Sequence, residues 1–174
     1  MSPLVVREAG VDDADEVARV HVRSWQAAYR GLIDQSVLDG LSIAERATGW
    51  RRLITDPLPT TLGLLVAERD DRIVGWTSFG SGRDPDGLAD AEVYGIYADP
   101  DAWSTGAGHA LLDAAEQRMA DAGHARAYLW VLDGNVRADT FYARHGWIED
   151  GAIKIEERPV FTLCEHRRVK LLAP

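Results

Sequence analysis

One segment near the middle of the chain constrains the fold more than any other. It runs from Ala98 to Leu112 and reads Ala-Asp-Pro-Asp-Ala-Trp-Ser-Thr-Gly-Ala-Gly-His-Ala-Leu-Leu, so a strand pattern passes through small residues into a helix pattern. The first N–H groups of a helix have no intrahelical acceptor, and the helix dipole favours negative charge there. Gly106 and Gly108 also let a ligand approach the backbone closely. The segment therefore predicts an anion-binding cradle between Ser104 and Gly108.

The glycine spacing of this cradle matches neither the G-x-x-x-x-G-K-[ST] of a P-loop nor the G-x-G-x-x-G turn that binds dinucleotides. A glycine-rich turn that holds no ligand stays open as the alternative. Charge adds a condition, because residues 84–117 contain eight carboxylates and no lysine or arginine. A phosphate bound here must then depend mainly on backbone dipoles, helped by His109 or by an arginine from a distant part of the chain.

Composition limits the class of protein. The chain has 174 residues, 46% of them hydrophobic, which predicts one domain over residues 1–174 with a sizeable core. A net charge of −9 opposes nucleic-acid binding and suits a cationic partner better. No stretch approaches the roughly 20 apolar residues of a membrane span, and no secretory signal pattern opens the sequence, so we expect a soluble cytoplasmic protein. Cys164, the single cysteine, excludes an internal disulfide, and the five histidines show no ligand-like pairing, so we expect no metal site.

Hydrophobic periodicity and capping signals predict the order of elements. They are a strand at 4–8, helices at 13–29 and 42–53, a hairpin of strands at 62–68 and 73–79, a polar loop at 80–90, a strand at 91–98, a helix through 111–122 capped by Gly123, a strand at 127–132, a helix at 135–146 and two strands within 147–171. Asp13 with Glu16 and Ser42 with Glu45 fit capping boxes.

This order, β-α-α-β-β-β-α-β-α-β-β, predicts an α/β (α+β mixed) fold. Its single mixed sheet would have about seven strands, with helices on both faces. The cradle would lie at the carboxyl end of a parallel strand, where open α/β sheets usually bind ligands.

Two segments of this pattern resemble the GNAT superfamily of N-acetyltransferases, which shares the predicted element order. The first, Ile96-Tyr-Ala-Asp-Pro100 followed by Trp103-Ser-Thr-Gly-Ala-Gly108, is similar to the family's acetyl-CoA segment of strand, Pro and [Gln/Arg]-x-x-Gly-x-[Gly/Ala]. The second, Asn135-x-x-Ala138-x-x-Phe141-Tyr142-x-x-x-Gly146-Trp147, is similar to Asn-x-x-Ala-x-x-Phe-Tyr-x-x-x-Gly-Phe. The resemblance covers nearly the whole chain. Trp103 departs from it, because it replaces a polar side chain that the family places beside the pyrophosphate.

The resemblance implies acetyl-CoA as co-substrate and a splayed sheet in which the main chain of Ile96 and Ala98 pairs with the pantetheine arm. Asn135 would orient the arm from the other side, and its role as a helix N-cap is compatible with this. Backbone N–H groups near Ala98 would polarise the thioester carbonyl. The implied cofactor-binding residues are Ile96, Tyr97, Ala98, Trp103, Ser104, Thr105, Gly106, Ala107, Gly108, His109, Asn135, Phe141 and Tyr142.

Acetyl transfer to an amine requires a neutral amine, a polarised carbonyl and a proton for the departing thiolate. The resemblance places Tyr142 near the sulfur, and a phenol with a pKa of about 10 can donate that proton, so Tyr142 is the candidate acid; packing beside Phe141 is the alternative. Glu92, directly or through a water, is the candidate base if burial raises its pKa from about 4.3. Asp90 is the rival candidate for the base. Two alternatives stay open for Glu92: an exposed strand carboxylate without a catalytic role, or one that only attracts a cationic substrate.

The acceptor pocket is predicted to include Glu92, Trp25 and Tyr29, with His21 on the same helix face; core packing is the alternative for Trp25. Trp130 and Trp147 are expected in the core.

The favoured function is acetyl transfer to a primary amine of a small molecule or a protein. A non-catalytic acyl-CoA-binding or sensor domain, and a phosphate-ligand module, are the rival classes. A homodimer formed through the C-terminal strands also stays open.

Overall fold

Seven strands form one sheet in the computed structural model, which describes residues 2–86 and 90–173. The strand order across the sheet is β1-β2-β3-β4-β5-β7-β6. Within the described ranges, β4 and β5 run parallel and the other neighbouring strands are antiparallel, which confirms the mixed sheet. The strands are β1 Val5–Glu8, β2 Thr61–Arg69, β3 Arg72–Ser81, β4 Ala91–Ala98, β5 Arg126–Leu132, β6 Ile148–Glu157 and β7 Thr162–Leu171.

Helices cover both faces of the sheet, as predicted. The pattern of β2 shows why: Val66 packs in a core with α1 and α3, whereas Leu65 and Ala67 belong to the core beneath α4 and α5. Successive residues of a strand point to opposite faces, so an apolar strand of this kind needs cover on each side. The helices are α1 Ala14–Ala28, α2 Gln35–Asp39, α3 Ile43–Thr55, α4 Ala107–Asp121 and α5 Val136–Arg144.

The starts of α1 and α3 differ in how they are capped. Ser42 Oγ accepts a hydrogen bond from the Glu45 N–H at 3.2 Å, which confirms that cap. The capping box assigned to Asp13 is wrong, because Asp13 is itself helical and a short 3₁₀ turn precedes α1. Its carboxylate instead accepts from the Gly10 N–H at 2.7 Å and pairs with Arg7. The short α2 was not predicted.

The sheet opens between β4 and β5, which is the feature that positions the site. These strands pair only at Ala91 with Ala127 and at Glu92 with Tyr128. On the other side of β4, Ser78 pairs with Gly95 and Phe79 with Val93, so one extra β4 residue lies between them as a β-bulge. A bulge bends the strand that contains it. The rest of β4 therefore diverges from β5, and the edge of β4 that faces β5 is unpaired there. This is the splayed sheet that the resemblance implies.

Candidate active site

A cleft of about 1100 Å³ occupies the opening between β4 and β5. One end is formed by the start of α4, the middle by the free edge of β4 and by α5, and the other end by α1, β6 and β7. Of the predicted polar loop at 80–90, Arg83 and Asp84 reach the cleft, and residues 87–89 lie outside the described residues. Segments far apart in sequence thus meet around one cavity.

The end at α4 has the geometry of an anion cradle. Gly106 precedes the helix with φ +95°, in the left-handed region that glycine adopts without strain. The first bond of the helix runs from the Ala110 N–H to the Gly106 oxygen at 3.0 Å. In the part of the chain that the structure describes, the N–H groups of Ala107, Gly108 and His109 have no protein acceptor. They are free to bind phosphate oxygens.

Trp103, the residue that departs from the family pattern, makes two contacts beside this cradle. Its indole N–H donates to the Ala98 carbonyl at 3.0 Å. The Arg137 guanidinium of α5 lies over its ring, 4.0 Å from the centroid. The Ala98 oxygen implied as a pantetheine partner is thus already engaged by the protein. Arg137, which the sequence did not single out, thus brings a cationic side chain beside the cradle.

Two histidines add a hydrogen-bonded pair at the same end. His145 Nδ1 lies 2.7 Å from the Phe141 carbonyl oxygen, so this nitrogen carries the proton and donates it. His145 Nε2 lies 2.8 Å from His109 Nδ1, so the two rings share a hydrogen bond. His109 Nε2 also lies 3.2 Å from an Asp113 carboxylate oxygen. The pair fixes the orientation of His109 at the first turn of α4.

α5 brings two predicted residues to the middle of the cleft. Asn135 caps the helix by accepting from the Ala138 N–H at 3.2 Å, which confirms its capping role and leaves its contact with the pantetheine arm a prediction. Tyr142 is buried and lines the cleft, and its hydroxyl bonds to no protein group among the described residues. Burial raises the pKa of the Tyr142 phenol well above its usual range, so it stays protonated at neutral pH. An unengaged, protonated hydroxyl is what a proton donor needs.

Glu92 is buried, but its carboxylate is fully engaged. It accepts from Arg83 Nη2 at 2.6 Å, Arg83 Nε at 2.9 Å, the Arg83 backbone N–H at 3.1 Å and the Tyr128 hydroxyl at 3.0 Å. These bonds hold Arg83, two residues after β3, against the sheet. The base role of Glu92 stays a prediction, and this geometry does not favour it. Its rival Asp90 is paired with Arg126 at 3.3 Å.

The α1 side of the cleft carries the predicted acceptor residues. Trp25 and Tyr29 both line the cavity, and the Tyr29 hydroxyl lies 2.8 Å from that of Tyr97. His21 does not line it; it is buried against the rings of Trp25 and Tyr97, and its Nδ1 accepts from Trp50 at 3.2 Å. Burial lowers the pKa of His21 to about 4, so this imidazole is neutral at neutral pH.

The two tryptophans expected in the core differ in their environment. Trp147 is 1% exposed and confirms the expectation. Trp130 is only partly buried, lines the cleft and donates to Asp84 at 2.7 Å, so that expectation is wrong. β5 borders the opening in the sheet, so those of its side chains that face the cavity are left uncovered.

Sequence reasoning missed the polar side chains that β6 and β7 contribute. Glu165 of β7 lies opposite Lys154 of β6 and Leu132 of β5, and both charged side chains line the cleft. Glu156 and Arg158 line it as well. Neither strand carries a motif, and only the register of β6 against β7 could have placed these side chains at the site. Cys164 lies on β7 and is exposed.

Asp139, Glu149 and His166 bring three metal-ligating groups within 4.8 Å of one another. Arg168 already donates to Asp139 at 2.9 Å and to Glu149 at 3.1 Å, so its guanidinium lies where a cation would bind. We interpret the group as an ion-pair network that ties α5 to β6 and β7. Separately, none of the described helices is long and apolar enough to cross a membrane.

The fold and the cleft define an acyl-transferring class of protein, and comparisons with known proteins establish the family. Residues 24–147 match the model described as "Acetyltransferase (GNAT) family". The uncharacterized N-acetyltransferase YuaI of Bacillus subtilis is 30% identical over 133 residues, covering 76% of this chain and 73% of YuaI. The chain therefore belongs to the GNAT family of acetyltransferases, and the resemblance noted in the sequence is confirmed.

Solved structures agree with this fold. The PaiA N-acetyltransferase of Thermoplasma acidophilum, a complex with coenzyme A, has a TM-score of 0.72 and 19% identity and covers 98% of this chain and 99% of its own. YncA of Salmonella typhimurium, a complex with acetyl-CoA, has a TM-score of 0.71 and 17% identity, with 99% and 96% covered. At these identities the likeness supports the shared architecture.

Proposed function

We propose that this protein transfers the acetyl group of acetyl-CoA to a primary amine of a small molecule or a protein. One observation carries the proposal: the free edge of β4 leads directly into the unpaired N–H groups at the start of α4. An extended arm with amide groups suits the first part, and a diphosphate suits the second. The structures of PaiA with coenzyme A and of YncA with acetyl-CoA support the same donor.

The residues of the cleft fit this co-substrate along its length. We assign the diphosphate to the cradle residues 104–109 with Trp103 and Arg137 beside it. The pantetheine arm follows residues 96–98, with Asn135 and Phe141 on its other side. The Ile96 and Ala98 N–H groups remain the candidates for polarising the thioester carbonyl, because hydrogen-bond donors are needed there. The Ala98 carbonyl oxygen already accepts from the Trp103 indole.

Tyr142 is the proposed acid that protonates the departing sulfur. Its hydroxyl lies in the cleft without a protein partner in the described ranges, and burial raises its pKa. Trp25 and Tyr29 form the wall that the acceptor meets. The same features weigh against a non-catalytic acyl-CoA sensor, because a binding domain needs neither an unengaged buried phenol nor an acceptor pocket.

Two measurements test the proposal together. CoA release from acetyl-CoA is followed with a thiol reagent over a panel of small primary amines and peptide N-termini, and thermal shifts are recorded with acetyl-CoA, CoA and ATP. We expect turnover with at least one amine and stabilisation by the two CoA compounds alone. Stabilisation by CoA without turnover of any amine would favour the sensor, and equal stabilisation by ATP would favour a general phosphate-binding module.

Three broader assignments are part of the proposal. Residues 1–174 are assigned to one catalytic domain, supported by the single sheet. A homodimer through the C-terminal strands is supported by the position of β6 at the sheet edge, where Ile153 and Ile155 are exposed, and sedimentation velocity tests it. A cytoplasmic location follows from the sequence expectation, and cell fractionation tests it.

A further inference from the structure

The acceptor side of the cleft lies on one face of the sheet. Residues directly opposite each other on paired strands point to the same face of the sheet. Leu132, Glu165 and Lys154 therefore lie on the same face. Leu132 packs with Leu163 in a cluster that also contacts Trp25 and Tyr29, which identifies this as the α1 face. Glu165 therefore projects into the cavity where an acceptor would meet the walls of Trp25 and Tyr29.

Glu165 is a half-buried carboxylate with few partners among the described residues. Its side chain is only 17% exposed, yet its nearest cation, Lys154 Nζ, is 3.6 Å away, which is too long for a hydrogen bond. Within residues 2–86 and 90–173, no side-chain donor hydrogen-bonds to it. Its oxygens therefore keep lone pairs that can accept a hydrogen bond from a molecule in the cleft. A carboxylate in this position is available to a cationic group that arrives with the substrate.

We propose that Glu165 binds the ammonium group of the acceptor and takes its proton, which makes it the general base of the reaction. The inference rests on the proposed acetyl transfer and adds the residue that selects a cationic primary amine. Lys154 Nζ lies 3.6 Å from the Glu165 carboxylate, so a bound substrate ammonium would compete with Lys154 for that carboxylate.

The charges around Glu165 suit this role. Burial raises the pKa of the Glu165 carboxyl above its usual range; Lys154 and Arg158 oppose the shift and Glu156 adds to it. Across the cavity, burial raises the pKa of the Tyr29 and Tyr97 phenols, and the Glu165 carboxylate raises both further. The two phenols therefore stay neutral. A base with a raised pKa accepts a proton from an ammonium more readily than an ordinary carboxylate does.

The chemical step balances with the groups named. The acceptor R–NH3+ gives one proton to Glu165, and the neutral nitrogen forms a bond to the acetyl carbon while the C–S bond breaks. The sulfur receives the Tyr142 hydroxyl proton, and the phenolate oxygen recovers a proton from the acetylated nitrogen. Glu165 then loses its proton to solvent. The products are R–NH–CO–CH3, CoA–SH and one proton.

The test is the pH dependence of kcat/KM for Glu165→Gln, using acetyl-CoA and the best amine of the panel. In the wild type we expect kcat/KM to rise as Glu165 ionises and then to level off near neutral pH. In the variant we expect a loss of about 100-fold at pH 7, with a rate that keeps rising towards the pKa of the free amine. Glu165→Asp should retain the wild-type shape at a reduced rate.

Glu156→Gln is the matched control, because Glu156 lies on the same face and is paired with Arg158 at 2.8 Å. If Glu165 acted only through negative potential, both variants would raise the amine KM alike without changing the pH profile. Thermal shifts with CoA confirm that each variant is folded and binds the co-substrate.

A Glu165→Gln enzyme with the wild-type kcat, KM and pH profile would overturn the inference while leaving the acetyltransferase assignment intact. A wild-type protein that neither binds acetyl-CoA nor releases CoA with any amine would instead overturn the proposed function on which it rests. If Glu165→Gln does not fold, Glu165→Asp decides, because an unchanged rate and profile would also count against the base role.

Discussion

The two ends of the cleft are built in different ways. At the proposed phosphate end, one continuous segment leads into α4 and offers the N–H groups of Ala107, Gly108 and His109, which have no protein acceptor among the described residues. At the proposed acceptor end, side chains from α1, β4, β6 and β7 converge, and the groups that line the cleft there are phenols, indoles and carboxylates. The first end depends on the conformation of the backbone, and the second on how distant strands are registered.

This difference predicts how each end responds to substitution. Changing a side chain of the cradle should matter only where it alters the backbone or removes a neighbouring charge. A change of one functional group at the acceptor end should alter the chemistry directly. The same contrast separates Glu92, which is held by four hydrogen bonds, from Glu165, which has none from a side chain among the described residues.

The largest effect is expected for Tyr142→Phe. Removing the hydroxyl leaves the thiolate without its proton donor, so kcat should fall by about 100-fold or more while the Kd for acetyl-CoA stays within about threefold. Tyr94→Phe is the matched control, since that hydroxyl donates to the Ser81 carbonyl at 2.9 Å. Because burial raises the pKa of Tyr142, the wild-type rate should not decline up to about pH 9. A Tyr142→Phe enzyme with undiminished kcat would remove the acid from the scheme.

Glu92→Gln should affect stability more than catalysis. The variant loses the charge of a buried carboxylate that bonds to Arg83 and Tyr128, at a cost of about 1–3 kcal/mol in the free energy of unfolding. Glu8→Gln is the control, because Glu8 forms an exposed pair with Arg118 that is worth at most about 1 kcal/mol. We expect kcat to stay within about threefold. A loss near 100-fold with an unchanged Tm would return the base role to Glu92.

Gly106→Ala should weaken the phosphate end through the backbone alone. Its φ of +95° is unfavourable for any side chain, at a cost of about 1–2 kcal/mol, and relief of that strain would turn the N–H groups of the cradle. We expect the Kd for acetyl-CoA to rise about tenfold by calorimetry.

Gly123→Ala is the matched control for this strain, because Gly123 has φ +93° at the other end of α4, away from the cleft. It should lower the Tm comparably and leave the Kd unchanged. Equal binding by both variants would show that the cradle conformation does not govern affinity.

The contrast between the two ends also explains what the sequence could reveal. The cradle and the capping role of Asn135 were predicted because each depends on spacing within one short segment. The order of elements along the chain and the helices on both faces followed from periodicity. The position of Tyr142 at the site was implied by the family resemblance. The splay between β4 and β5 came only from the family resemblance.

The acceptor end could not be predicted in this way. Glu165 reaches the cleft because β7 inserts between β5 and β6, and a shift of one residue in that register would point it to the opposite face. The bonds from Arg83 to Glu92 depend on a tertiary contact between the segment that follows β3 and the start of β4. The errors at Asp13, Trp130 and His21 share this origin, because tertiary contacts decided between two locally acceptable environments.

Arg137→Ala gives the smallest effect and probes the border between the two ends. Arg137 is the side-chain cation held over Trp103 beside the cradle, so its loss should raise the Kd for acetyl-CoA about fivefold, or about 1 kcal/mol. The effect should shrink as ionic strength rises, because the guanidinium is exposed and its attraction to phosphate is screened. Arg137→Lys should recover only part of the loss, since it keeps the charge without the planar stacking. Arg118→Ala, outside the cleft, should bind like the wild type. If Arg137→Ala binds acetyl-CoA normally at low salt, the phosphate end relies on backbone groups alone, and the contrast with the acceptor end becomes complete.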